Sequence, residues 1–403
     1  MTTELTALDL LDPRTFREGP PHSYFDLLRQ NSPVVRCDNP LYPGSVWHLT
    51  RFRDIREVGV NTAVFTNTKG SLYPEIGSEE RNVPGITLQT DPPEHTRLRN
   101  MVAQAFSPRV VAQFEGWIRE ICTAIIDAAF AAGSFDAIPM IASELPAQVI
   151  ARILGVPPAD RKFIIEVTPD LFGVLDPDIG IARAHAAFDR ILDFGVHLAE
   201  TKRREPGADM VTELLKACDA EGDFNLAEYR GMFLALYTAG YETTHTLIAQ
   251  ALRMMAADPE IAAQVHAADL DGMKPVVEEF LRVACPVNYW GRVATRDTEI
   301  DGRQIRKDDY VMMWFTAANR DPEFFENPHA FIPGRPRGRS HAAFGGGGPH
   351  LCIGAHLARL EAQILLDEMN RRGLRLAFDG APQRAVGIHI NAIRHMPMQV
   401  VPV

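Results

Sequence analysis

Phe344-Gly-Gly-Gly-Gly-Pro-His350-Leu-Cys352-Ile-Gly354 runs into a helical stretch, Ala355 to Arg372, and its reading decides the fold. Four glycines and a proline bring Cys352 to the mouth of that helix. Backbone amides at a helix start favour a thiolate over a thiol. A thiolate so placed is a nucleophile or a metal ligand; the plain alternative is a buried cysteine in a turn. Gly354 removes a side chain where something flat or bulky approaches closely. A zinc site from His350, Cys352 and His356 would lack a nearby fourth ligand.

Around this loop lies an ordinary globular composition: 403 residues, 46% hydrophobic and 23% charged, enough to bury a large core without disulfides. The net charge of −11 opposes nucleic acid and anionic membranes. The five cysteines are odd in number and contain no CxxC, which fits a reducing compartment. The N-terminus, with Glu4, Asp9 and Asp12, does not read as a signal peptide. No apolar run reaches the roughly 18 residues of a membrane span. A cytoplasmic monomer, folded as one unit over 1–403, is the expectation. Helical patterning dominates from about 95 to 265, in Pro108 to Ala132, Ile181 to Arg204 and Asn225 to Ala257. Short strands are expected at Pro33 to Cys37 and Ser45 to Thr50, around an Asn39-Pro40…Pro43-Gly44 turn. Others are expected across the Asp301-Gly302 turn, at Tyr310 to Phe315, and in the tail from Ala385 to Val403. The class is mainly α with small β-sheets.

Asn225-Leu-Ala-Glu228 reads as a capped helix start, and Asp258-Pro259 as its stop. A helix of about thirty residues, apolar on all sides, should cross the centre of the molecule. Midway lies Ala239-Gly240-Tyr241-Glu242-Thr243-Thr244. Glycine costs about 1 kcal/mol there against alanine, and a threonine bonding back to the carbonyl four residues earlier bends a helix. A local bulge is expected, with room for a small ligand. An acid beside an alcohol in an apolar helix is an unusual charge to bury. Such a pair can relay protons, although a glutamate facing water is the plainer reading.

Gly348-x-His350-x-Cys352-x-Gly354 resembles the haem-binding loop of the cytochrome P450 family, the haem-thiolate monooxygenases. Ala-Gly-x-Glu-Thr-Thr resembles the oxygen-activating motif of the same family. Asp91-Pro-Pro-Glu-His95-Thr-x-x, Glu279-Phe-Leu-Arg282, Asn319-Arg-Asp-Pro322 and Phe331-Ile-Pro-Gly-Arg335 match further family blocks, in family order, over about 90 to 365. The resemblance implies the cytochrome P450 fold, haem b as cofactor and O2 as co-substrate. It makes Cys352 the axial ligand of the iron, with Phe344, Gly354 and Ala239 against the haem. It makes His95, Arg99, Arg292 and His350 contacts of the haem propionates. Glu242 relays protons and Thr243 hydrogen-bonds bound dioxygen. Glu279, Arg282 and Arg335 form a buried structural network. Two positions depart from the pattern. Phe344 lies eight residues before the cysteine instead of seven, so the loop holds one extra glycine, and Ile332 replaces the usual aspartate. The longer loop is similar to that of bacterial members acting on sterol side chains, branched lipids and terpenoids.

The same resemblance places a substrate pocket at Leu88, Gln89, Phe172, Ala235, Thr238, Val287, Asn288, His389 and Ile390. Most of these are apolar, so an apolar small molecule is expected: a terpenoid, steroid, fatty acyl chain or aromatic. Asn288, Gln89 and His389 are candidate polar anchors. No flavin or nicotinamide motif accompanies the haem blocks. Electrons are therefore expected from a separate iron–sulfur ferredoxin and its NAD(P)H-dependent reductase. A basic face made of Arg335, Arg337, Arg339, His341, His356 and Arg359, with Arg99 and Arg109, is its expected dock. The alternatives are a peroxide-driven haem-thiolate peroxygenase and a non-catalytic haem-binding sensor.

Overall fold

The central helix, Leu226–Ala257, has 32 residues and, at 1.5 Å per residue, spans about 48 Å. Asn225 caps it: its side-chain oxygen accepts from the N–H groups of Ala227 (3.0 Å) and Glu228 (3.3 Å). The Glu228 carboxylate takes a bond from Arg97 at 2.8 Å. Asp258 ends this helix and caps the next, Pro259–His266. Most central-helix side chains are buried, including Tyr229, Phe233, Tyr237 and Tyr241 at 0% exposure. The all-round apolar pattern therefore places the element at the core, as its sequence predicts. Helices Glu144–Leu154, Gly180–Arg204, Met273–Ala284 and Ala355–Arg372 pack against it.

This is a computed structural model, and it describes residues 9–402 except 39–41, 43, 74–82, 221, 223 and 224. The expected Asn39-to-Gly44 turn falls largely outside the described residues. Its two strands are present as Val34–Asp38 and Ser45–Leu49, paired antiparallel with Val34 opposite Leu49. They join a five-stranded sheet in the order Val34–Asp38, Ser45–Leu49, Tyr310–Trp314, Tyr289–Ala294, Phe65–Thr66. Ser45–Leu49 and Tyr310–Trp314 pair in parallel and are buried along their length. Asp301 and Gly302 both take positive φ, 47° and 76°, in the two-residue hairpin turn between Thr298–Ile300 and Arg303–Ile305. The stretch from Pro108 is divided: Pro108–Val111, a 3₁₀ turn Ala112–Phe114, then Glu115–Ala132. In the tail, strands form at Ile393–His395 and Pro397–Val401. The architecture is mainly α with small sheets, as expected.

Candidate active site

Cys352 is an exposed residue, although its thiol lies deep among protein atoms. Burial pushes its thiol up, while the Gly354 N–H and the Arg99 and Arg359 guanidinium groups act the other way. Its own N–H donates to the Phe344 carbonyl at 3.0 Å, which closes the loop. Each glycine has a reason. Gly345, Gly347 and Gly348 take positive φ (107°, 98°, 73°). Gly346 and Gly348 press on the helix Phe52–Val60: a Cβ on Gly348 would lie 2.6 Å from the Gly59 carbonyl oxygen. The longer loop is thereby accommodated, and the Phe344 ring is covered by the Arg359 guanidinium at 4.4 Å. A Cβ on Gly354 would meet only the Cys352 sulfur, at 3.9 Å, so that side of the loop is open for a flat group.

Two adjacent glutamates hold the loop in place. Glu279 accepts from Arg282 at 2.7 and 2.9 Å, from Arg335 Nε at 3.0 Å and from the Ile332 N–H at 2.8 Å. The backbone of Ile332 thus enters the network where the family uses an aspartate. Glu278, absent from the sequence reading, accepts from Arg359 at 2.6 Å and pairs with His341 at 3.1 Å. Burial works to raise its carboxyl, but these two partners outweigh it and bring it down to about 2.

On the other side of the loop lies a cluster of donors short of acceptors. Arg292 is 3% exposed; its one described bond goes to the Gly291 carbonyl, and its Nε has no partner. Burial brings it down to about 10. His95 is buried with Nδ1 unpartnered, and its ring lies 4.1 Å from that of His350. Asn67 Nδ2 donates to His350 Nε2 at 2.8 Å, which leaves Nδ1 of the neutral ring as a donor. Burial, then Arg292, His95 and Arg99, push His350 down to about 3. Arg99 reaches the Leu351 carbonyl at 2.6 Å. The nearby carboxylate, Asp91, is engaged by Thr66 and Asn67. A buried, unpaired guanidinium is costly, so this cluster fits a group that brings its own carboxylates, as haem does. Among the described residues, no three His, Cys, Asp or Glu side chains converge on a metal site, so His350, Cys352 and His356 do not form the zinc set.

The expected bulge in the central helix is absent: Leu226–Ala257 is α-helical throughout. Gly240 serves packing instead, since a Cβ there would lie 2.7 Å from Ile150 Cδ1 on a neighbouring helix. The open spot is Ala239, an exposed residue in mid-helix. Thr243 bonds back to the Ala239 carbonyl at 2.8 Å, as its position predicts. Glu242 is 3% exposed, which rules out the reading of a solvated glutamate.

A cavity of about 450 Å³ opens on Ala239, Glu242 and Thr243. Its wall includes Leu88, Gln89, Phe172, Ala235, Thr238, Val287, His389 and Ile390, all anticipated. Asn288 is a correction. It is 1% exposed and stands outside the wall, its amide donating to the Ile388 carbonyl at 3.1 Å; it positions the segment that carries His389. His389 is enclosed by Phe172, Tyr289 and Trp290, and burial brings it down to about 3.

The basic face is also corrected. Arg335 and His341 are buried, and Arg359 is bound to Glu278; all three are structural. Arg109, Arg337, Arg339 and His356 remain exposed, with Leu351 exposed at the cysteine loop. No helix among the described residues is long and apolar enough to cross a membrane.

Comparison with known proteins agrees with this geometry. The sequence model described as "Cytochrome P450" matches residues 159–372. A steroid C26-monooxygenase of Mycobacterium tuberculosis is 32% identical over 96% of this chain and 91% of its own. A methyl-branched lipid omega-hydroxylase of the same species is 30% identical over 93% of this chain and 90% of its own. A Mycobacterium marinum cytochrome P450 solved in complex with pseudoionone superposes with a TM-score of 0.89 at 30% identity, over 98% of this chain and all of that one.

Proposed function

This chain belongs to the cytochrome P450 family, and we propose that it hydroxylates the branched aliphatic end of a mid-sized apolar molecule such as a steroid side chain, a methyl-branched lipid or a terpenoid. It is a monooxygenase whose cofactor is haem b and whose co-substrate is dioxygen. Bound haem supplies the reductive activation of dioxygen that lets one oxygen atom enter a C–H bond. The observation that carries the substrate reading is the cavity itself: apolar over Leu88, Phe172, Ala235, Val287 and Ile390, and open onto Ala239 and Thr243. A narrow aliphatic end fits there, while the exclusion of water protects the reaction. The relatives' names point to terminal positions of steroids and branched lipids, the same class.

In this reading the Cys352 thiolate would hold the iron, and Arg292, Arg99, His95 and His350 would hold the haem carboxylates. The Thr243 hydroxyl, now bonded to the Ala239 carbonyl at 2.8 Å, would be the donor on the cavity side of the central helix. Glu242, buried next to it, holds the proton that passes on. A library of apolar ligands, screened by the haem spin-state absorbance shift, should select branched aliphatic compounds over rigid aromatics of equal size. Those hits should be converted to terminal alcohols with a surrogate ferredoxin, its reductase and dioxygen. Preference for compounds without an aliphatic end would defeat the substrate reading. Equal turnover with peroxide alone would make the protein a peroxygenase, and binding without product would make it a sensor.

Electrons arrive, in the same proposal, from an acidic ferredoxin that docks on Arg109, Arg337, Arg339 and His356 around Leu351. Exposed charges are screened within about 8–10 Å at 0.1–0.15 M salt. Raising the salt across that range and beyond should increase the KM for ferredoxin several-fold. Arg109→Glu combined with Arg337→Glu should do the same at low salt, with the substrate-induced spin shift unchanged. A KM indifferent to both changes would remove the electrostatic dock.

A further inference from the structure

His245 lies one helical turn beyond Glu242 and on the same face of the central helix. Both are buried, at 4% and 3% exposure. His245 Nδ1 stands 3.7 Å from Glu242 Oε1, beyond a hydrogen bond but within reach of a small rotation of the Glu242 side chain. Both ring nitrogens of His245, and Glu242 Oε2, lack hydrogen-bond partners. The Tyr241 ring stacks on the imidazole at 5.6 Å and 22°, so the plane of the ring is fixed. An imidazole kept in a buried site with neither nitrogen engaged contributes nothing that an apolar ring would not, unless its protons are used.

The surroundings supply a route. Glu242, Thr243 and His245 line one cavity, whose wall continues through Ser143 and Pro139 to Asp136. Asp136 and Pro139 also line a second groove, together with Glu144 and Gln148. The wall is the short π-helical turn Ile138–Ala142, next to Asp136, which pairs with the half-exposed His395 at 2.8 Å. Asp136 and Pro139 are thus common to this groove and to the cavity that Glu242 lines.

We infer that His245 is a proton-relay residue that recharges Glu242, taking its proton from water admitted past Asp136 and Pro139. The proton account is simple. A water-borne proton binds one nitrogen of the neutral imidazole; the imidazolium passes a proton from Nδ1 to the Glu242 carboxylate and becomes neutral again. Glu242 then supplies the Thr243 side of the site. Two such transfers serve each turnover, since two protons are consumed when dioxygen gives one inserted oxygen and one water. His245 acts through Glu242 and is a positioning residue in this sense, not a catalytic one. The inference rests on the reading of Glu242 and Thr243 given above.

The test uses the haem-loaded protein with a substrate from the spin-state screen. His245→Phe keeps an aromatic ring against Tyr241 and removes both nitrogens; His245→Gln keeps polar atoms that do not carry protons between them. Both variants should bind haem and substrate as the parent does. In both, product formed per electron pair should fall about tenfold or more, with the electrons appearing as peroxide, and the solvent deuterium isotope effect should rise. Without turnover, the infrared carboxyl band that Glu242→Gln removes should shift in His245→Phe. Should His245→Phe and His245→Gln keep parental coupling, isotope effect and carboxyl band while Glu242→Gln uncouples, the inference about His245 fails alone. Should Glu242→Gln itself stay coupled, the acid–alcohol reading fails with it. If His245→Phe does not fold, the Gln variant decides by the same readings.

Discussion

Glu279→Ala is expected to give a protein that does not retain haem. Glu279 and Arg282 are 1% and 0% exposed, and the carboxylate accepts from two guanidinium groups and the Ile332 N–H. Removing one member of a buried pair leaves an uncompensated charge and costs roughly 3–5 kcal/mol. Here two arginines and one amide lose their acceptor together. The total stability of a domain is only about 5–15 kcal/mol. The loss is also transmitted along bonds. Arg282 holds the Asn319 carbonyl at 2.7 Å, the Asn319 side chain takes the Ala342 N–H at 2.6 Å, and Phe344 takes the N–H of Cys352. The cysteine loop is thus suspended from Glu279 through Arg282 and these three further links. The measurement is haem per polypeptide after expression with excess porphyrin precursor, together with near-ultraviolet circular dichroism. Full haem occupancy in Glu279→Ala would refute the network as the support of the loop; Glu279→Gln, which keeps one acceptor oxygen for Arg282, should fall between. The parent protein should show the same dependence on acid. The neighbouring Glu278 sits at about 2 in the fold against an ordinary 4.5. Its contribution is therefore complete above about 4.5 and disappears as the pH falls toward 2.

What the sequence disclosed was what short stretches decide for themselves. The central helix begins and ends where Asn225 and Asp258-Pro259 cap and stop it, and Ala355–Arg372 follows directly from the glycine loop. The hairpin at Asp301-Gly302 follows from two residues that tolerate positive φ. Other features depend on partners far along the chain, and no local pattern carries them. The parallel pairing of Ser45–Leu49 with Tyr310–Trp314 joins segments some 265 positions apart. Gly240 suggests a bulge by itself; only Ile150, on another helix, shows that it makes room for a neighbour. The arginines near Cys352 advertise charge, but their roles are set by whether an acidic partner lies within reach. Glu278 takes Arg359 and His341 out of the exposed face. The sole hint of Glu278 was its place beside Glu279, in a helix whose neighbouring positions face different partners. Asn288 sits in a pocket-lining stretch, and nothing short of its side-chain direction shows that it serves the Ile388 carbonyl.

Replacing Cys352 should have the largest effect on chemistry with the smallest effect on the fold. The residue is exposed, and the loop is closed by the backbone bond from Cys352 N–H to Phe344, not by the sulfur. Cys352→Ser therefore keeps the loop geometry, and its folded structure should match the parent by circular dichroism. It exchanges a soft, electron-rich thiolate for a hydroxyl that stays protonated near neutrality. Three of the four remaining cysteines, Cys122, Cys218 and Cys285, are buried, and burial pushes the thiols of Cys122 and Cys285 up, the latter to about 12; the fourth, Cys37, lies on the strand Val34–Asp38, away from the glycine loop. Burial pushes the Cys352 thiol up as well, but the Gly354 amide and the Arg99 and Arg359 guanidinium groups act against it. Any haem retained by Cys352→Ser through the Arg292–His95 cluster should lose the ferrous carbonyl band typical of thiolate ligation. Monooxygenase turnover should drop below detection, because a hydroxyl would not supply the electron donation that a thiolate would give a bound haem. A Cys352→Ser protein that kept the thiolate-type carbonyl band would place the ligand elsewhere and dismantle the site. A variant that lost the band yet hydroxylated at the parental rate would sever the link between this sulfur and the reaction.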